Sequence, residues 1–121
     1  MKNKRLINNL TNMSLKATLY VQAANDLKAI YGTLNVDLNS GESTEVEYGD
    51  LRNGYLLGLR INPIPFDPID TYYAVVRHRG DAVDAWLNNS VSIDITVEHL
   101  HAMEGYSSIE LITRGFEEVF R

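Results

Sequence analysis

"SLKATLYVQA", residues 14 to 23, alternates without a break. Leu15, Ala17, Leu19, Val21 and Ala23 fall on one face, and Lys16, Thr18, Tyr20 and Gln22 on the other. An extended chain sends successive side chains to opposite sides, so this period of two predicts a strand with one buried face. The same period recurs downstream. "AIYGTLNVDL" sets Ile30, Leu34, Val36 and Leu38 against Tyr31, Thr33, Asn35 and Asp37, and "STEVEYG" follows the turn residues Asn39–Glu42. Those two runs read as a β-hairpin. "YLLGLRI" sets Tyr55, Leu57, Leu59 and Ile61 on one side, and "TYYAVVRH" reads as a further strand. "SVSIDITVEHLH" places Val91, Ile93, Ile95 and Val97 in one row, and "SSIELITR" reads as the last regular strand.

Seven or eight short strands separated by turn residues, with no alternation of strand and helix, predict an all-β protein, an antiparallel β-sandwich. One short helix interrupts it near residues 81–88, where Val83, Trp86 and Leu87 adopt helical spacing. A length of 121 residues suits a single core. Residues 13–121 form that domain. Residues 1–12, polar and rich in Asn, are expected to be a flexible N-terminal segment.

Composition narrows the function. Eleven Lys and Arg against sixteen Asp and Glu leave a net charge of −5. Three of the positive charges (Lys2, Lys4, Arg5) lie in the first five residues. No basic cluster of the kind that binds a nucleic-acid backbone occurs elsewhere. Without cysteine there is no disulfide and no thiolate chemistry. The N-terminus has no apolar run resembling a signal peptide, and nothing approaches the ~20 apolar residues of a membrane span. G-x-S-x-G, H-E-x-x-H and phosphate-cradling glycine loops are all missing, so no local motif supports an enzyme.

Five groups of residues could carry binding. Arg79-Gly80-Asp81 spells a tripeptide read by adhesion receptors, but Asp81 precedes the short helix where an N-cap oxygen belongs, and Gly80 suits a sharp turn. The tripeptide is expected to be a structural corner. His99 and His101 would share a strand face, yet two ligands fall short of the three or four of a zinc site, so neither metal nor cofactor is expected. The acidic run Asp37–Asp50 resembles a calcium loop poorly and is expected to be a solvated face that blunts edge pairing. The proline loop, with Pro63, Pro65 and Pro68, offers Ile64, Phe66 and Ile69 as apolar anchors for a partner. Tyr20 and Tyr31 face away from the apolar rows and suit a contact surface.

The C-terminal segment has apolar residues on both parities. Ile112, Phe116, Val119 and Phe120 are expected at the contact of a homo-oligomer, most simply a two-fold dimer. The first functional reading is a non-enzymatic binding or assembly module that acts by self-association or protein–protein contact. A carbohydrate- or lipid-recognising module is the alternative, followed by a metal-dependent enzyme built on His99 and His101.

Overall fold

The computed structural model describes residues 3–65 and 71–106. Its elements run β1 (Asn3–Asn9), β2 (Leu15–Ala23), β3 (Asp26–Leu38), β4 (Ser43–Tyr48), β5 (Leu56–Pro63) and β6 (Tyr72–Val75). Then come α1 (Ala82–Asp84), a π-helical turn (Ala85–Asn89), β7 (Ile93–Ile95), α2 (Val97–Ala102) and a 3-10 turn (Met103–Gly105). The protein is all-β in character, with seven strands among the described residues in two sheets. The smaller sheet has the order β4-β1-β7 and the larger β3-β2-β5-β6.

β2 is where the alternation predicts it. Leu15, Ala17, Leu19 and Val21 join one apolar cluster with Leu59 and Ile61 of the same sheet and with Ile7, Val46 and Ile93 of the other. Leu56 and Leu57 both enter this cluster although they are neighbours in sequence. The register slips there, Tyr20 facing Gly58 while Val21 faces Leu56, and such a bulge turns two successive side chains toward the same side.

Several expectations are corrected. The runs around Val36 and Val46 do not form a hairpin. β3 pairs with β2 while β4 pairs with β1, so the Asn39–Glu42 turn carries the chain from one sheet to the other. Residues 3–9 are no mobile arm but the middle strand of the smaller sheet, antiparallel to β4 and parallel to β7. That parallel pair also makes the pairing mixed where only antiparallel pairs were expected. The predicted strand through His101 ends at Ile95, because Thr96 caps a helix: its side chain accepts from the His99 N–H.

The helical segments bridge the sheets. Trp86 Nε1 donates to the Asp94 carbonyl of β7, and Asn88 exchanges two hydrogen bonds with the Leu56 backbone of β5. Val83, Leu87, Leu100 and Met103 complete the shared core from this side. A fully buried Leu or Ile contributes about 1.5–3 kcal/mol, so these contacts hold the helices in place despite their brevity.

The larger sheet is also buried over part of its second face, across β2, β5 and β6 but not along β3, where Thr33, Asn35 and Asp37 are exposed. Tyr20, expected at a contact surface, is fully enclosed with Tyr73 and Val75, against Ile30 and Tyr106. Thr18 and Gln22 of the same row are also buried.

Candidate functional site

The Arg79-Gly80-Asp81 corner is built as the capping argument predicts. Gly80 has φ +91°, a conformation that a side chain disfavours. Asp81 Oδ1 accepts from the Asp84 N–H at 2.8 Å, and its Oδ2 accepts from the N–H groups of Arg77 and His78 at 2.9 and 3.0 Å. Burial pushes this carboxyl up, but the three backbone donors together outweigh it and hold the group below the ordinary carboxylate value.

Asp84 has a different part in the corner. Its buried carboxylate accepts from the Gly80 N–H at 2.7 Å, from Asn88 Nδ2 at 2.8 Å and from Arg79 Nη1 at 2.5 Å. Arg79 Nη2 reaches Gln22 Oε1 at 2.5 Å, and its guanidinium lies over the Tyr55 ring, 4.3 Å from the centroid. Both ionic side chains of the tripeptide are therefore engaged within the fold.

His99 and His101 do not share a face. Two residues apart on α2, they point about 160° apart around the helix axis. The His99 ring stacks on Trp86, with centroids 4.6 Å apart and planes 9° from parallel, and its Nδ1 lies 2.9 Å from Thr96 Oγ1. The two rings border an apolar cavity of about 240 Å³ with Val83, Ala102 and Met103. Among the described residues, no three His, Asp or Glu side chains are grouped so as to hold a metal ion.

The acidic run is dispersed. Glu45 and Glu47 stand on the exposed face of β4, which is an edge strand, and Glu47 pairs with Lys4 across 3.6 Å of open surface. Glu42 accepts from the Asn39 N–H within its turn. Asp50 Oδ1 accepts from the N–H groups of Asn53 and Arg52 and from Asn53 Nδ2, and these bonds, the Asn53 N–H foremost, depress its carboxyl.

Four of the exposed apolar residues, Leu10, Met13, Ile64 and Val97, lie on segments that two backbone hydrogen bonds bring together at one end, while Leu6, Tyr31, Leu51, Tyr55 and Val91 are exposed elsewhere. The Leu10 N–H donates to Ile95 O at 2.9 Å, and the Ile64 N–H to Ser14 O at 3.0 Å. These bonds bring the β1–β2 loop, the exit of β5 and the exit of β7 together. Leu10 is 59% exposed, Met13 37%, Ile64 47% and Val97 49%. Only Ile64 of this group was anticipated. Phe66 and Ile69, like Ile112, Phe116, Val119 and Phe120, lie outside the described residues. Tyr31 is exposed, as its parity predicts, at an irregularity in the β2–β3 register.

The opposite end carries a cleft of about 580 Å³, lined by Asn3, Ala24, Asn25, Leu51, Arg52, Gly54 and Tyr55. No local pattern in the sequence marks it, because its residues come from three separate segments. No family model, no curated protein and no solved structure matches the chain.

Proposed function

We propose that this chain is a non-enzymatic contact module that self-associates through its apolar end. The grouping of Leu10, Met13, Ile64 and Val97 supports the reading. Single exposed apolar residues are ordinary on a soluble protein, but several at one end of a fold mark a contact surface. Ile64 adds a second reason. It opens the proline-rich segment, whose restricted backbone presents a side chain at low entropic cost. A second copy of the chain is the simplest cover, since a two-fold axis pairs the same patch with itself.

The test is the molecular mass measured by sedimentation across a concentration series, for the native chain and for a Leu10→Ser, Ile64→Ser variant. The expected result is a mass above the monomer that rises with concentration, and a monomeric, folded variant. A native chain that stays monomeric throughout, or a variant with unchanged mass, overturns the proposal. The reading based on a His99 and His101 metal centre has lost its premise, since that pair is not on one strand face.

A further inference from the structure

The cleft at the end opposite the apolar patch is built like a binding site, and its parts specify a ligand chemistry. Three loops or strand ends meet there, and hydrogen bonds tie them together. Asn3 Nδ2 at the start of β1 donates to the Asp50 carbonyl at 3.1 Å. Asp50 fixes the backbone of Arg52 and Asn53, and Asn53 Oδ1 in turn accepts from the Ala24 N–H at 2.8 Å. Ala24 is held at φ +49°, an unusual conformation for a residue with a side chain. Gly49 permits the closest approach, for a Cβ there would stand 1.9 Å from the Asn53 carbonyl oxygen. The frame is therefore ordered before any ligand arrives, which lowers the entropic cost of binding.

Polar groups of the lining stay open to solvent and to a ligand. Among the described residues, the Arg52 guanidinium and the Asn25 amide have no partner, and Asn3 Oδ1 accepts no hydrogen bond. Arg52 is the single charged side chain in the lining, in a chain of net charge −5. Apolar surface comes from Leu51, 83% exposed, and from Tyr55, 42% exposed. Arg79 steadies the Tyr55 ring from within the fold. The lining holds no carboxylate, the charged ligand that hard-cation sites rely on.

From this combination we infer that the cleft binds a saccharide bearing a carboxylate, a uronic-acid type of sugar. The carboxylate matches the guanidinium, which can engage both of its oxygens. Neighbouring ring hydroxyls, each donor and acceptor, match the amides of Asn3 and Asn25. The C–H face of the sugar ring matches Tyr55 and Leu51. This inference is independent of the self-association proposal, which concerns the other end of the molecule.

The experiment is an NMR titration of the full chain with glucuronate and galacturonate oligosaccharides, alongside neutral hexose oligosaccharides, acetate and a nucleoside monophosphate. Uronates are expected to bind more tightly than neutral sugars, with shifts concentrated at Asn3, Asn25 and residues 51–55. Arg52→Ala should weaken uronate binding about tenfold, the order expected for one lost charge-assisted pair, and abolish the preference over neutral sugars. Leu51→Ala should weaken both sugars. Arg52 and Leu51 lie on the exposed loop, so an unchanged spectrum away from the cleft certifies the fold. The inference is overturned by the absence of uronate binding at millimolar concentration, or by acetate binding as tightly as uronate. Tighter binding of the nucleotide, or binding indifferent to both substitutions, overturns it equally.

Discussion

Asp81 and Asp84 show how two carboxylates three residues apart acquire different tasks. Asp81 sits at the surface of the corner and satisfies three backbone N–H groups that the short helix and the turn before it would otherwise leave to solvent. Asp81→Ala should cost about 1–2 kcal/mol, the upper part of the range for an N-cap, because more than one donor is orphaned. A urea midpoint that barely moves would contradict this. Asp84 is buried and pairs with Arg79, whose side chain is 39% exposed. Asp84→Ala removes the acceptor for Arg79, Gly80 and Asn88 together, and about 3 kcal/mol should be lost, the low end for a buried pair since the arginine can reach water. Equal losses for the two variants would mean that burial does not separate them. The same corner explains why an adhesion motif in the sequence is structural: Arg79 is spent on Asp84, Gln22 and Tyr55, and Asp81 on the backbone.

Among the elements, β1 has the largest consequence. Its inward row is Asn3, Arg5, Ile7 and Asn9, and only Ile7 of these is apolar. Arg5 faces inward because its guanidinium donates to the Trp86 and Ser90 carbonyls at the end of the π-helical turn, and to Ser90 Oγ. Asn9, fully buried, donates to the carbonyls of Met13, Leu38 and Asn39, and accepts from the Thr11 N–H and hydroxyl. Removing residues 1–9 should therefore unfold the chain, and Ile7→Ala should cost about 2–5 kcal/mol. Limited proteolysis that trims this segment and leaves a native spectrum would refute the strand's role. Hydrophobic periodicity could not reveal β1, since its inward positions are polar groups satisfied by distant backbone. Strands β2 and β5 were legible because apolar side chains fill their inward rows. The fate of Tyr20 was not, because alternation assigns it a side but not what covers that side. In "TVEHLHA" a signal was present: Thr96 as cap, Glu98 in the first turn, and Leu100 and Met103 three apart. The row Ile93, Ile95, Val97 outweighed it, although Val97 is exposed and only the first two are buried. The cleft residues share no pattern at all, since loops gather them from three places in the chain.

At the scale of the whole molecule, acid should loosen several connections together. Asp50 pins the β4–β5 loop, Asp81 the β6–α1 corner, and Asp94 accepts from Asn8 Nδ2 and Ser92 Oγ, both at 2.7 Å, beside the β1–β7 pairing. All three carboxyls titrate below their ordinary value. For Asp94 the Asn8 and Ser92 hydrogen bonds are the cause, and for Asp50 the backbone N–H of Asn53 comes first. For Asp81 the backbone donors prevail over burial. A depressed carboxyl binds fewer protons in the folded chain than in the unfolded one, so stability rises with pH across the interval between the two values. The contribution is fully present above the unfolded value of about 4 and is lost as pH falls through the lower, folded values. Urea midpoints should thus decline steeply below that point. Asp81→Asn with Asp94→Asn should give a less stable chain at neutral pH and a shallower decline in acid, because the amides have no proton to take up. If the double variant loses stability in acid as steeply as the native chain, these carboxylates do not carry the acid response. Asp50 is left intact in the double variant, so the frame of the cleft should respond to acid alike in both chains. Binding should weaken in acid in both chains, as Asp50 releases the loop and the sugar carboxylate itself is protonated.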